Sequence, residues 1–246
     1  MIIKNKFILF FSLVLLNACS SVYLPSVPNT PLLNEKGQLN AGVHGSLHNN
    51  YNFNAAYALG SHFAFVGNHN RMHIDRDSKD IKHRSVELGA GYFGKLGGKQ
   101  DQIMEFYAGF GRAKNERIFF EKDLHGSLIP FQTENATYDK KFIQFNYSSQ
   151  KQDNLKLFNL SFDLNFGTAF RLNFVKTDDL ILNGIKQANE DNVFIEPIFF
   201  TTLGLNENLK IQYTNGSNFG LKSRDFLNAN NSIFSLGLIY TFKPQK

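Results

Sequence analysis

From Leu160 to Phe174 the chain alternates with a period of two. Leu160, Phe162, Leu164, Phe166, Phe170, Leu172 and Phe174 share one parity with Thr168, while Ser161, Asp163, Asn165, Gly167, Ala169, Arg171 and Asn173 take the other. Successive side chains of a β-strand point to opposite faces, so this stretch predicts a strand with one apolar and one polar face. Strands of globular proteins are usually about 5–6 residues long, whereas a tilted strand needs about 9–11 to cross a bilayer. Length therefore points to a membrane wall, with the apolar face toward lipid and Asp163 and Arg171 toward a lumen.

The same pattern recurs. Candidate strands fall at 38–48, 51–60, 62–72, 84–94, 102–114, 140–148, 157–176, 192–204, 208–216 and 231–242. The composition fits half-apolar strands: 26 Phe, 9 Tyr and 19 Gly stand beside only 6 Pro, and the mean hydropathy is negative at −0.27. The connections alternate between short ones, at 60–62, 95–101, 149–154 and 205–207, and long polar ones, at 73–83, 115–139, 177–191 and 217–230. Only the connection around Asn49 and Asn50 is short on the long side. Outer-membrane barrels have short periplasmic turns and long external loops, so both chain ends are expected on the periplasmic side. The expected fold class is all-β, an antiparallel closed transmembrane β-barrel of about ten strands, with eight or twelve as neighbouring counts. Pro197 inside a predicted strand has no N–H for a ladder and is expected at a bulge or near a rim. With no Trp in the chain, Tyr and Phe must serve at the membrane interfaces.

The N-terminus carries a second signal. Lys4 and Lys6 precede the apolar run Phe7–Leu16, broken only by Ser12, which is the layout of a secretory signal and too short for a spanning helix. The run ends in Leu16, Asn17, Ala18 and Cys19, and Cys19 is the only cysteine. This resembles the lipobox of bacterial lipoproteins, with a departure at Asn17, where a small residue is commoner. The resemblance implies cleavage before Cys19, acylation of Cys19, and, with Ser20 next, delivery to the outer membrane. The domain reading is a signal peptide at 1–18, a lipidated Pro-rich tether or periplasmic plug at 19–37, and the barrel at 38–246. Pro25, Pro28 and Pro31 rule out a strand in that tether, and Val22, Tyr23, Leu24, Leu32 and Leu33 make it too apolar for a free linker.

The last strand, with Phe234, Leu236, Leu238, Tyr240 and Phe242 on one parity, resembles the aromatic-ended closing strand of outer-membrane barrels, although residues 243–246 extend past it. Together with the lipobox, the proline-spaced run from Pro25 to Gly37, Ala55–Ala58, Phe142–Gln144, Glu196–Pro197 and Gly237–Leu238, it makes the chain resemble the small outer-membrane β-barrel lipoproteins of Gram-negative bacteria. That resemblance brings no activity with it.

Functional candidates are few. The net charge of +5 is spread among acids, and no basic block with interleaved aromatics suggests nucleic acid. His48, His69, His73 and His83 are expected near the external strand ends, where imidazoles could bind a metal, but no ligand-spacing motif supports a site and no cofactor is expected. A rim hydrolase would draw on His73, Asp75, Asp77 and His83, or on Ser46 with His44. Ile74–Lys82 reads equally as a solvated loop. Glu87, Asp163, Arg171, Lys210 and Gln212 fall on the polar parity as lumen residues that would pair into a polar plug, with a narrow ligand or solute passage as an alternative. The leading expectation is a non-catalytic envelope-structural or interaction role. Its partners would be membrane lipid and, through external loops, envelope proteins or lipopolysaccharide; the oligomeric state is not indicated. Residues 115–139 form the expected contact loop, folding over the barrel mouth or meeting a partner, because Ile118, Phe119, Phe120, Leu128, Ile129 and Phe131 are too apolar for a hydrated loop. A soluble, lipid-tethered barrel or sandwich is the remaining alternative.

Overall fold

The computed structural model describes residues 21–46, 49–96, 102–157, 160–229 and 231–243. The leader 1–18, Cys19 and His48 lie outside the described residues. The strands are β1 (Leu39–Ser46), β2 (Asn50–Ala58), β3 (Phe63–Arg76), β4 (Lys79–Lys95), β5 (Gln102–Lys122), β6 (Leu128–Leu157), β7 (Leu160–Leu182), β8 (Ile185–Lys186), β9 (Asp191–Gly204), β10 (Leu209–Gly216), β11 (Phe219–Gly220) and β12 (Ile233–Phe242). No helix occurs among the described residues.

Each long strand pairs antiparallel with its neighbours, β12 pairs with β1, and β9 pairs with both β7 and β10. The sheet thus closes into a ten-stranded barrel, with the two-residue β8 and β11 appended at one end; a sandwich is ruled out. Following partners around the wall gives its geometry. Lys176 faces Asp139, then Arg112, Val86, His69, Phe53, Val43, Leu238, Ile211, Leu203 and finally Leu164. The circuit leaves β7 at Lys176 and returns at Leu164, a stagger of 176 − 164 = 12 residues. Ten strands with that stagger tilt by about 40° from the barrel axis.

The alternation read from the sequence is the inside and outside of this wall. Residues of β12 run buried and exposed in strict turn, with Phe234, Leu236, Leu238, Tyr240 and Phe242 outward. Phe63 and Phe65 of β3, Leu88 and Tyr92 of β4, Phe106 and Phe110 of β5, and Phe166, Phe170 and Phe174 of β7 continue an exposed apolar band. Along β12 that band is about 21 Å high, eight residue steps corrected for tilt. A water-soluble protein does not expose so continuous an apolar belt, and a hydrocarbon-facing one must. Allowing for the tilt, Tyr57, Tyr92, Tyr147 and Tyr240 fall near one level close to the end where the chain enters β1 and leaves β12. They supply the interfacial aromatics in place of Trp.

We call that end terminal and the opposite end distal. The wall is uneven at the distal end: β5, β6 and β7 have 21, 30 and 23 residues, whereas β1, β2, β10 and β12 have 8, 9, 8 and 10. This corrects the expected long loops. Residues 73–83 are a hairpin turning at 77–78, 177–182 extend β7, and 115–139 are mostly the β5–β6 hairpin, whose turn is 123–127. Asp123 fixes that turn by accepting from the His125 and Ser127 N–H groups, both at 2.8 Å. The lower part of the hairpin lines a distal vestibule through Asn115, Arg117 and Phe119, while Leu124, Leu128, Ile129 and Phe131 at its tip are exposed. Beyond the membrane a ribbon needs only its own ladder, so its outer portions carry no apolar alternation to find in the sequence. The short turn expected at 149–154 likewise lies in β6, past a register shift between Ser149 and Asp153.

Pro197 sits in β9 without a bulge, one residue past the distal end of β10, near the low part of the rim as expected. Strands β10 and β11 keep one register against β9, Gly216 facing Ile198 and Phe219 facing Ile195, and the ladder is interrupted between them, opposite Pro197. Ser217 still donates to the Pro197 carbonyl at 3.2 Å, so the missing N–H costs one ladder bond without shifting the strand.

Leu238 is half exposed at mid-band. Leu238→Arg is expected to destabilise the protein in lipid vesicles by about 2–4 kcal/mol, as for an arginine facing mid-bilayer lipid. Urea unfolding in vesicles measures it; a change near zero, as on a water-exposed surface, would place the band in solvent.

Candidate functional site

A ten-stranded barrel is wider than the eight-stranded kind that side chains alone can fill. The extra cross-section is occupied by the chain itself. Residues 21–33 are buried throughout except for half-buried Leu24. They run from Val22, whose N–H donates to the Phe226 carbonyl at the distal mouth at 3.0 Å, to the turn at Gly37, whose N–H donates to Ala58 at the terminal end at 2.8 Å. Gly37 has φ +81°, a left-handed conformation that glycine adopts freely, and it lets the chain reverse into β1. Ser21 and Lys243 consequently lie at opposite mouths, Lys243 pairing with Glu207 in the β9–β10 turn at 3.4 Å. The expectation that both ends emerge on one side is corrected: the proline-rich segment spends its length crossing the lumen.

The segment is held by groups matched to its backbone. Prolines at every third position favour an extended conformation with no internal hydrogen bonds, so its carbonyls must be satisfied by the wall. Lumen amides do this. Asn68 donates to the Val27 carbonyl at 2.8 Å, Asn54 to Pro28 at 3.2 Å, Gln144 and Asn146 to Asn29 at 2.6 and 3.1 Å, and Asn40 to Pro31 at 3.3 Å. Two of its N–H groups are met by the wall as well: Val27 donates to Asn52 at 3.1 Å and Leu33 to the Glu105 carboxylate at 2.9 Å. Apolar clamps grip both ends. Val22 and Tyr23 pack with Tyr138, Leu180, Phe194 and Leu227, Tyr23 stacking on Phe194 at 4.1 Å; Leu33 packs with Phe93, Tyr107 and Phe142.

Between the clamps lies a buried charge cluster. Glu87 pairs with both Lys140 and Arg171. Lys140 also donates to Ser26 Oγ at 3.3 Å, Arg171 lies over the Phe142 ring at 4.1 Å, and Glu196 accepts from the Tyr23 hydroxyl at 2.6 Å. Such charges are tolerated in a dry lumen only because each faces an opposite charge or a donor. The cluster fills the mid-lumen and separates two vestibules. The distal one, about 410 Å³, is bounded by Ser21, Pro25, Asn52, Met72, Asn115 and Ile233; the terminal one, about 290 Å³, by Leu32, Gln38, Asp163, Asn165, Lys210 and Thr241.

The distal mouth is covered by residues 221–229. Glu190 accepts from the N–H groups of Asp225, Phe226 and Leu227 at 3.1, 3.1 and 2.7 Å, and Asp191 pairs with Lys222 and with Arg224, the latter at 2.8 Å. Asp191 stands above the apolar band, where hydrogen bonds from Lys222 and Arg224 hold its carboxyl below the usual carboxylate range. This segment caps Val22 and Tyr23 at the mouth, beside Arg117 and Phe119 of the 115–139 hairpin, which line the vestibule.

The sequence-derived candidates separate accordingly. Glu87 and Arg171 meet as a pair, Gln212 donates to Thr30 at 3.1 Å, and Asp163 and Lys210 line the terminal vestibule. Lys140, Glu105, Glu196 and Tyr23 complete the lumen network; strand parity alone could have suggested the first three, and Tyr23, in the plug, has none. The histidines do not converge. His69 and His73 face outward, while His83 is buried in the lumen, and no group of three or more His, Cys, Asp or Glu among the described residues could hold a metal. His73 bonds Asp80 at 3.0 Å on the exposed face, with Asp75 and Asp77 exposed at the hairpin tip and His83 on the other side of the wall. Ser46 borders the distal vestibule, whereas His44 is buried two residues below it. The His44 ring lies so close to Gly237 that a Cβ there would meet it at 2.1 Å.

No family model matches the chain, and no curated protein matches it. Solved structures do. The translocator domain of the autotransporter NalP from Neisseria meningitidis is similar at 14% identity and a TM-score of 0.45, covering 82% of this chain and 73% of that one. The β domain of the Bordetella autotransporter BrkA matches at 8% identity and 0.31, with 84% and 98% covered. The NanC porin matches at 11% and 0.29, with 84% and 99% covered. The fold itself, a closed antiparallel ten-stranded barrel with an apolar outer belt, stands on the strand pairing and exposure described above.

Glu87→Gln leaves Lys140 and Arg171 buried without their shared counter-charge. It is expected to destabilise the folded protein by about 3–5 kcal/mol, the scale for breaking a buried ion pair. Urea unfolding followed by heat-modifiable gel migration measures this, and a loss below about 1 kcal/mol would mean that the cluster is hydrated.

Proposed function

We propose that this chain is an outer-membrane lipoprotein barrel that plugs itself and serves the envelope as a surface interaction and structural protein, neither an open pore nor an enzyme. The observation that carries the reading is the lumen filled from mouth to mouth by residues 21–38. A solute would have to displace both apolar clamps and the amide contacts between them. Passage through such a wall needs a rearrangement far larger than a side-chain rotation. The rim-hydrolase reading loses support because its acid–base candidates stand on opposite faces of the wall.

The distal end is the external one in this proposal. Short turns gather at the terminal end and long hairpins at the distal end, the asymmetry of outer-membrane barrels. The β5–β6 hairpin supplies the contact surface. Phe131 is half exposed, Leu128 and Ile129 are nearly so, and Phe119 and Phe131 pack at 6.3 Å. Singly such groups are ordinary, but an apolar ribbon standing clear of the barrel suits a protein partner.

The same geometry supports a different place for the proposed anchor. Both chain ends are expected from the sequence on the periplasmic side, but Ser21 opens onto the distal vestibule beside Ser46, Asn50 and Ile233, on the low side of the wall. Cys19 is two residues away, a reach of at most about 7 Å. The anchor then belongs to the outer leaflet, and the acyl chains hold the start of the plug at the distal mouth.

Protease added to intact cells is expected to cut within 123–127 without releasing the barrel. Cys19→Ala should abolish palmitate labelling, and the purified protein should give no discrete conductance in planar bilayers. Protection of that hairpin in intact cells, with cleavage only after permeabilisation, would reverse the orientation; a stable conductance would overturn the plugged reading.

A further inference from the structure

The outer face of β3–β5 carries a cationic cluster just distal of the apolar band. Arg71 faces Arg84 in register across β3 and β4, and Arg84 faces Lys114 across β4 and β5. One outward step toward the tip, His73 faces Lys82. One step toward the membrane on β4, Val86 is already apolar and exposed, followed by Leu88. The cluster therefore stands at the depth of lipid headgroups.

Its internal pairing is incomplete. Lys82 and His73 both meet Asp80 at 3.0 Å, and Lys114 meets Glu116 at 2.5 Å. These acids lie on the tip side. Arg71 and Arg84 have no ion pair among the described residues, although like charges directly opposite on adjacent strands destabilise a sheet. The two guanidiniums instead border a concavity of about 350 Å³ shared with His73, Lys82, Lys114 and Glu116. Guanidinium forks match phosphate oxygens, and a phosphate between two of them turns the repulsion into two charge-assisted contacts.

We propose that this cluster is a binding site for the phosphorylated sugar headgroup of an outer-leaflet glycolipid, with Arg71 and Arg84 sharing one phosphate and Lys114 adding charge at its edge. The volume suits a phosphorylated sugar, and the lipid's acyl chains would lie along the exposed Val86, Leu88 and Phe110 directly below. The depth argument rests on the distal end being external; the chemistry of the cluster does not.

The test uses the full-length protein in detergent micelles, titrated with lipopolysaccharide carrying its lipid A phosphates, with the same material dephosphorylated, and with sodium pyrophosphate. Phosphorylated lipopolysaccharide is expected to bind at least about tenfold more tightly than the dephosphorylated form. Arg71→Gln with Arg84→Gln should weaken it by a similar factor, on the scale of lost charge-assisted hydrogen bonds, while heat-modifiable migration stays unchanged. Both substitutions face outward, away from the lumen network. Equal binding of the dephosphorylated form, or unchanged binding by the double variant, would overturn the site. Pyrophosphate binding as tightly as the glycolipid would overturn the assignment to a lipid headgroup. Binding in micelles is independent of orientation, so failure here is distinct from failure of the cell-surface protease result.

Discussion

The constraint on which the rest depends is the width of a ten-stranded wall. Closing ten strands with a stagger of 12 residues leaves an interior that side chains alone do not fill, and the chain resolves this by passing through its own barrel. The proline spacing makes the passing segment extended and poor in donors, so acceptors dominate its surface, and the wall answers with asparagine and glutamine amides. Apolar clamps at Val22–Tyr23 and at Leu33 then fix its position, since a fully buried leucine side chain contributes about 1.5–3 kcal/mol. The Glu87–Lys140–Arg171 cluster lies between them because only a closed, dry centre makes such pairing selective for one arrangement.

From that arrangement follows the polarity of the molecule. A threading segment must enter the lumen at one mouth and β1 at the other, so Ser21 and the start of the first strand lie at opposite ends. The distal rim is built to match: low along β1, β2, β10 and β12, where the N-terminal segment emerges, and tall along β5–β7, where the hairpins project. The cationic cluster at Arg71 and Arg84 sits where the outer face of the wall leaves the apolar band. Ser21, the cationic cluster and the β5–β6 hairpin tip thereby share one rim.

Much of the wall was legible in the sequence because lipid and lumen impose opposite polarities on alternate residues. The ten strands, their parity and the inward placement of Glu87, Arg171 and Gln212 all follow from that alternation. The hairpin extensions of β3–β7 did not, since their buried face is largely polar, with His83, Asn115, Arg117 and Glu134, and their outer face meets water, so no apolar period marks them. The partnership of Lys140, Glu105, Glu196 and Tyr23 was hidden because it depends on which strands are neighbours and on a plug that is no strand. The apolar residues around the prolines did show that 22–33 must pack against something. They could not show that it runs the whole length of the barrel, which decides at which mouth Ser21 lies.

The account stands on that threading, and one crosslink tests it most directly. Ser26 Oγ in the plug lies 3.5 Å from Ser85 Oγ on β4. A Ser26→Cys, Ser85→Cys pair in the membrane-inserted protein should oxidise to a single intrachain disulfide, identified by mass spectrometry of the linked peptides. Free alkylation of both thiols by a water-soluble maleimide, with no linked peptide, would contradict it.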